Sequence, residues 1–119
     1  MVSQSARPAE LGDKIVAKPA LLAKLTAKEG QRDALLAVIA DLGMTNVSGE
    51  PGTEVYAAHK DAGDENVVWF YEMYSDGDAL AAHGGSDGMK AFGRATGEFM
   101  AGRAELIFLE PVCAKGLDL

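Results

Sequence analysis

The most strongly apolar stretch of the chain is residues 67–74, VVWFYEMY, in which both alternating sets of positions are β-branched, aromatic or otherwise apolar. Because successive side chains of a strand point to opposite faces, this pattern predicts a strand that is apolar on both faces. The chain's own helices can cover one face, and a second subunit is the simplest cover for the other face in a chain this short. Glu72 is the charged exception, so its carboxyl must be paired, protonated or open to a pocket.

Shorter apolar runs bounded by Gly, Pro or charged residues predict the other strands. These strands are expected at residues 18–27, 53–60 and 104–112. A first helix is predicted over residues 31–42, where apolar residues recur at intervals of three and four, with Gly43 as its end. Between this helix and the second strand, Glu50-Pro51-Gly52 has the chemistry of a tight turn.

Two further helices are predicted after the central strand. Ser75 or Asp76 is a candidate N-cap for a short Ala-rich helix that runs to His83 and ends at Gly84-Gly85.

Ser86 is the candidate N-cap of the last helix. Its inward stripe is predicted to contain Met89, Phe92, Thr96, Phe99 and Met100. Gly93 and Gly97 weaken this helix by roughly 1 kcal/mol each relative to alanine. A glycine inside a helix often permits the close approach of a sheet or a ligand.

The predicted element order, β-α-β-β-α(α)-β, is typical of the α+β class. It indicates a ferredoxin-like split βαβ fold, with an antiparallel sheet and helices on one face. Residues 1–17 show no sustained period and are predicted to be a flexible lead-in, so the folded domain is expected over residues 18–119.

The composition limits the possible cellular locations and binding partners of the protein. The chain has 119 residues, the length of one domain, and no apolar run near the roughly 20 residues that span a bilayer. No signal peptide is recognisable, and Cys113 is the single cysteine, so a cytoplasmic protein is expected. The formal net charge is −7 with basic residues scattered singly, which argues against nucleic acid as a partner.

Neither a metal nor a cofactor is predicted from sequence motifs. The two histidines are not spaced with Cys or carboxylate residues as a ligand set, and the acidic loop 61–66 does not match a calcium loop. The glycine-rich segment 84–88 is neither a phosphate-binding loop nor a dinucleotide fingerprint.

Several segments, taken together, resemble the antibiotic biosynthesis monooxygenase (ABM) domain over about residues 18–116. They include the E-P-G-T turn, the Y-E-x-Y end of the central strand, the A-x-x-A-H helix, SDGMKAFG and the closing LIFLEPVCAKG. The resemblance implies a dimeric α/β barrel, in which the sheets of a homodimer pack face to face and each subunit keeps a pocket between sheet and helices. Similar proteins include cofactor-free oxygenases of quinols and anthrones, haem-degrading oxygenases and isomerases of small sugar-like phosphates.

The resemblance makes His83 the first candidate for catalysis, because similar proteins have a histidine at this helix end, facing the pocket. An imidazole titrates near neutral pH and can remove a phenolic or enolic proton. The alternative is that His83 caps the C-terminal carbonyl groups of its own helix or bonds another backbone group. Glu72 is the second catalytic candidate, as a base or as a group that orients His83, and its alternative role is an ion pair with Lys24 or Arg94.

Aromatic and apolar side chains are the candidates for substrate binding. The set comprises Trp69, Tyr56, Tyr74, Tyr71, Phe92 and Met89. The strand aromatics can stack on a flat ligand, and their alternative place is the core or a dimer interface. Phe92 and Met89 are expected in the core and in the pocket wall.

The resulting hypothesis is a cofactor-independent monooxygenase that takes a quinol- or anthrone-like aromatic substrate and O₂, and that works as a homodimer. One alternative is an isomerase or tautomerase of a small oxygenated metabolite, using the same base without oxygen. A second is a non-catalytic dimeric module that binds a ligand. Haem chemistry is disfavoured because the first strand lacks the asparagine found in similar haem-degrading proteins.

Overall fold

The computed structural model describes residues 18–119, and the predicted lead-in at residues 1–17 lies outside them. The elements in chain order are β1 (Ala20–Thr26), α1 (Arg32–Val38), a π-helix (Ile39–Gly43), α2 (Met44–Ser48), β2 (Thr53–Lys60), β3 (Val67–Tyr74), α3 (Gly77–Gly84), α4 (Asp87–Thr96), a 3₁₀-helix (Gly97–Phe99) and β4 (Glu105–Leu109). The four strands form one antiparallel sheet in the order β2-β3-β1-β4. This confirms the predicted ferredoxin-like α+β fold.

The first helical segment is longer than predicted. Gly43 was expected to end it, but its backbone is helical, with φ −59° and ψ −49°, and the chain continues through the π-helix into α2. Residues 44–48, for which no helix or strand is predicted, are therefore helical. Gly43 is buried beside the Phe92 ring, and a Cβ there would lie 3.2 Å from a ring carbon. The glycine thus serves close packing in this helix and does not terminate it.

The two later helices begin at caps that the sequence indicated. The Asp76 side chain accepts a hydrogen bond from the Ala79 backbone N–H at 2.8 Å, and Ser86 accepts one from the Met89 N–H at 3.0 Å. Each cap satisfies one of the free N–H groups of a helix start. Together they set where α3 and α4 turn back across the sheet.

The helices cover one face of the sheet, and the main core lies between the two layers. The cross-strand register places Leu21 opposite Glu72 and Ala23 opposite Phe70, and these side chains point toward the helices. Leu35 and Ile39 of the first helical segment and Phe92 of α4 complete this core. Trp69 and Tyr71 alternate with them and therefore point to the other face.

Strand β4 forms an edge of the sheet, and its five residues are exposed in the single chain. Leu106 and Phe108 lie on the helix-facing side, while Ile107 and Leu109 lie on the opposite side. All four large apolar side chains are at least 36% exposed, with Phe108 at 64%. Edge strands with this character are templates for further packing. The homodimer stays a prediction.

Within residues 18–119, no helix combines the length and the apolar character needed to cross a membrane.

The turn that connects α2 to β2 is packed tightly against α3. A Cβ placed on Gly52 would lie 2.5 Å from the Ala79 Cβ, closer than real side-chain contacts allow. The Gly52 carbonyl also accepts a hydrogen bond from the Ser75 N–H at 2.9 Å. The missing side chain at residue 52 is what lets α3 approach the turn.

We therefore predict that Gly52→Ala lowers the free energy of unfolding by about 1–3 kcal/mol, because the turn and α3 must separate to admit the new methyl group. Urea unfolding followed by circular dichroism measures the change. Gly97→Ala is the matched control, since Gly97 is helical and a Cβ there meets nothing within 4 Å. Equal stability of the two variants would contradict the close approach.

Candidate active site

A cavity of about 550 Å³ lies between the helix-facing side of the sheet and helices α3 and α4. Its wall is mostly apolar. The lining residues are Leu21, Ala23, Leu25, Tyr56, Phe70, Glu72, Leu80, His83, Gly84, Met89, Phe92, Gly93, Thr96, Met100, Ala104, Leu106 and Phe108. A concave apolar site with a few converging polar groups is the usual form of a small-molecule pocket. The polar groups that converge here are those of Tyr56, Glu72 and His83.

Glu72 is a buried carboxyl on the floor of the cavity, with only 7% of its surface exposed. Its place on β3 puts it on the helix-facing side, opposite Tyr56 in the neighbouring strand. The Tyr74 hydroxyl donates a hydrogen bond to Glu72 Oε1. Burial raises the pKa of Glu72 above its ordinary value, although the Tyr74 hydrogen bond and the nearby His83 partly oppose this rise.

His83 stands at the end of α3 between two carboxyl groups. Its Nδ1 lies 2.7 Å from Glu50 Oε1, a hydrogen-bonding distance, and its Nε2 lies 3.9 Å from Glu72 Oε1. The ring centroids of Tyr74 and Tyr56 are 5.4 Å and 5.9 Å from the imidazole centroid. The side chain bonds Glu50 and faces the cavity, so the alternative in which it caps its own helix does not fit.

Glu50 is the site residue that sequence reasoning missed, because it was interpreted solely as part of a turn. It lies beside His83 because α3 packs on this turn. A carboxylate next to a Pro-Gly turn carries no signal of its own; pairing it with the helix-end histidine requires knowing that the turn and the helix meet.

Both site tyrosines are held in the protonated form. Burial raises the pKa of Tyr56 well above its ordinary value, and the charges of Glu72 and Glu50 raise it further. Burial also raises the pKa of Tyr74, and its hydrogen bond to Glu72 adds to this effect. A phenol of this kind acts at neutral pH as a hydrogen-bond donor.

Of the predicted binding residues, Tyr56, Met89 and Phe92 line the cavity. Tyr74 does not: it is fully buried behind Glu72 and serves that carboxyl instead of a ligand. The hydrogen bond from Tyr74 helps to stabilise the Glu72 carboxyl in the floor of the cavity.

Trp69 and Tyr71 were predicted to line the pocket, and the geometry does not match this prediction. They occupy the alternate positions of β3 and so lie on the face of the sheet away from the helices. Trp69 Nε1 donates a hydrogen bond to Asp61 Oδ1 at 2.7 Å, and Lys24 Nζ lies 5.7 Å from the indole centroid. Because Lys24 is on this far side, its proposed ion pair with Glu72 is also wrong.

Two glycines lie at the mouth of the cavity, Gly84 at the end of α3 and Gly93 within α4. A Cβ on either would meet no atom within 4 Å. Packing against the protein therefore does not require glycine at these positions. A side chain there would enter open space next to the other residues that line the cavity.

No group of three or more His, Cys, Asp or Glu side chains in the described part of the chain is placed to hold a metal ion.

The fold and the site define a ferredoxin-like α+β protein with a histidine-containing apolar cavity between its sheet and its helices. Residues 20–95 match the model of the antibiotic biosynthesis monooxygenase family, and the chain belongs to that family.

Solved structures agree with this assignment. A Caulobacter crescentus protein, named provisionally as an antibiotic biosynthesis monooxygenase, is 32% identical with a TM-score of 0.76, over 82% of this chain and 92% of that one. Rv0793 from Mycobacterium tuberculosis is 23% identical with a TM-score of 0.72, over 82% and 98% of the two chains, and so supports the fold alone. NE2512 from Nitrosomonas europaea, a protein of unknown function, is 22% identical with a TM-score of 0.75, over 87% and 97% of the two chains, and likewise supports the fold alone. No curated protein is significantly similar in sequence.

We predict that Gly93→Leu lowers the affinity for a neutral aromatic probe such as 2-naphthol at least tenfold, since the new side chain projects into the cavity. The same substitution should not destabilise the protein, because leucine is a better helix former than glycine by up to about 1 kcal/mol. Isothermal titration calorimetry and urea unfolding measure the two effects.

Gly97→Leu is the matched control, because Gly97 is exposed, is absent from the cavity wall and meets nothing within 4 Å. It should leave probe binding unchanged. Unchanged binding in the Gly93 variant as well would show that the probe does not occupy this cavity.

Proposed function

We propose that the protein is a cofactor-independent monooxygenase that uses O₂ to oxidise a neutral quinol- or anthrone-like aromatic. The observation that carries this proposal is the position of the His83 imidazole, whose Nε2 lies 3.9 Å from the buried Glu72 carboxyl in a mostly apolar cavity. A base in a site with little water can hold a deprotonated aromatic next to dissolved O₂.

His83 acts as the general base in this scheme. Its Nε2 takes a proton from the substrate, and the imidazolium that forms stands between the Glu50 and Glu72 carboxyl groups. The 2.7 Å contact of Nδ1 with Glu50 holds the ring in place while Nε2 takes the proton. The protein thus places a base at the cavity wall, where the reaction would begin.

The redox step needs no reductant other than the substrate. For an anthrone-type methylene, loss of one proton gives an electron-rich enolate, which transfers electrons to O₂ and forms a C–O bond to give a peroxide. His83 returns its proton to the peroxide and then removes the second C–H proton. The electrons of that C–H bond form the C=O bond as the O–O bond breaks and hydroxide leaves. His83 passes the second proton to this hydroxide, which gives water. In sum, CH₂ and O₂ give C=O and H₂O, with four electrons passing from carbon to oxygen.

The charge of the cavity wall supports a neutral substrate. Neither lysine nor arginine is among the described residues that line the cavity, while Glu72 lies in its floor and Glu50 just behind His83. A phosphate or carboxylate group would enter without a cationic partner, at a cost of several kcal/mol. The Tyr56 hydroxyl can donate a hydrogen bond to a phenolic or keto oxygen.

The isomerase alternative uses the same base. The negative charge near the cavity limits which substrates this isomerase could bind. A sugar-like phosphate fits the cavity poorly for the reason given above, whereas tautomerisation of a neutral enol fits as well as oxygenation does. The two reactions differ in whether O₂ is consumed. A ligand-binding module would show neither turnover nor proton exchange.

We predict that purified, metal-stripped protein consumes O₂ with a quinol or anthrone, and that His83→Ala lowers the rate by roughly a hundredfold or more through loss of the base. A dissolved-oxygen electrode, with a panel of quinols, anthrones and catechols, measures the rate.

His59→Ala is the matched control, because His59 is exposed and lies opposite Trp69 on the far side of the sheet. It should retain full activity. Absence of O₂ uptake with every compound, together with base-dependent hydrogen–deuterium exchange of a neutral ketone, would instead support the tautomerase.

The proposal includes a homodimer that covers the outer face of the sheet. Half-buried apolar and aromatic side chains remain on that face, including Leu22, Val55, Trp69 and Tyr71. The apolar residues of β4 extend the same surface to the sheet edge. A second copy of the chain, packing sheet on sheet, would remove this surface from water.

We expect light scattering coupled to size-exclusion chromatography to give twice the chain mass for the wild-type protein. Ile107→Asp should shift the population toward the single-chain mass, because it places a charge on the outer face, where Ile107 is 47% exposed in the single chain. Lys90→Asp, at an exposed helical position, is the control. A monomeric wild-type protein would contradict the proposal.

A further inference from the structure

We infer that Glu50 is a positioning residue, which holds His83 as the Nδ1–H tautomer and thereby directs the Nε2 lone pair toward Glu72 and the cavity. The role of this tautomer in catalysis rests on the proposed function, whereas the tautomer itself does not. The inference is built from the contacts of the Glu50-Pro51-Gly52-Thr53 turn.

The turn holds the Glu50 carboxyl in one orientation. The Thr53 backbone N–H donates to the Glu50 carbonyl at 3.1 Å, closing the turn, and the Thr53 hydroxyl donates to Glu50 Oε1 at 2.8 Å. Thr53 is the first residue of β2 and is paired with Tyr74 of β3. Glu50 is therefore fixed through a hydroxyl that is itself anchored to the sheet.

Helix α3 is brought to this turn by the close approach at Gly52. Ala79, whose Cβ faces Gly52, is four residues before His83 and so lies on the same side of the helix. The packing of Ala79 on Gly52 places the next turn of α3, with His83, over Glu50. Each residue of the turn except Pro51 thus has an identified contact that contributes to the His83–Glu50 distance of 2.7 Å.

The distances around the imidazole favour Nδ1 as the nitrogen that carries the proton. Four titratable groups surround the imidazole: Glu50, Glu72, Tyr56 and Tyr74. An ionised carboxylate only accepts hydrogen bonds, so the 2.7 Å contact requires Nδ1 to be the donor. The 3.9 Å separation of Nε2 from Glu72 is too long for a hydrogen bond and does not compete. A neutral ring with its proton on Nδ1 leaves Nε2 free as a base.

Loss of Glu50 should reverse this preference. Glu72 would then be the remaining carboxyl beside the ring, and a small rotation would let Nε2–H donate to it. The ring would present a proton where the reaction needs a lone pair. Glu50 therefore acts on the reaction through His83 and need not touch the substrate.

The test is ¹⁵N–¹H correlation of the imidazole nitrogens, recorded above the pH at which histidines are protonated. The chain has two histidines, so the His83 signals are assigned by comparison with a His59→Ala protein. We expect His83 in the Nδ1–H form in the wild-type protein. Glu50→Ala should shift it toward the Nε2–H form, and Thr53→Val, which keeps the side-chain shape but removes the hydroxyl, should shift it in the same direction to a smaller extent.

Glu54→Ala is the matched control, because Glu54 is nearby in the chain but pairs with Lys18, 2.8 Å away at the surface. It should leave the His83 spectrum unchanged. If Glu50→Ala fails to fold, the Thr53 variant carries the test. An Nε2–H wild-type ring, an imidazolium that persists in this pH range, or a spectrum unchanged in both variants would overturn the inference.

A second readout applies once a substrate is in hand. Glu50→Ala should lower kcat about tenfold or more with little change in KM, because the substrate's own contacts are intact, and Glu50→Gln, which keeps an acceptor oxygen, should recover part of that loss. A tautomer shift without any turnover in the wild-type protein would uphold the positioning role and count against the proposed oxygenase. Full activity of Glu50→Ala despite a shifted tautomer would overturn its part in the reaction.

Discussion

The burial of the Glu72 carboxyl is the constraint on which the site depends. An acidic side chain in the core is costly unless other groups satisfy it, and here Tyr74 donates to it while His83 approaches from α3. The same strand supplies Phe70 to the hydrophobic core on the same face. Core and site are therefore one continuous layer, and the polar end of the cavity is fixed by the packing that stabilises the fold.

The fold could be predicted largely from the sequence, because its signals are local. The two apolar faces of residues 67–74, the caps at Asp76 and Ser86 and the order of the elements indicated the sheet and helices that the structure contains. Gly43 was misinterpreted because a glycine that ends a helix and a glycine that admits a neighbouring ring look the same in one sequence. The φ angle and the Phe92 contact that distinguish them arise from tertiary packing.

The site was predictable only in part, for a related reason. His83 and Glu72 were singled out by chemistry and by family resemblance, and the structure brings both to one cavity. The sequence does not show which face of β3 lines this cavity, since both faces are apolar. For this reason Trp69 and Tyr71 were wrongly included among the residues predicted to line the pocket. Glu50 was missed because it comes 33 residues before His83 and meets it through the packing of α3 on a turn.

Strand β4 has a consequence for how such a protein can diverge. Its Leu106 and Phe108 side chains form part of the cavity wall, whereas the polar partners of His83 come from other elements, and the strand is held by one neighbour alone within residues 18–119. Substitutions there can change the size and shape of the space offered to a ligand while Glu50, Glu72 and His83 stay as they are. The shape of the cavity can therefore vary between related chains while its polar groups stay the same.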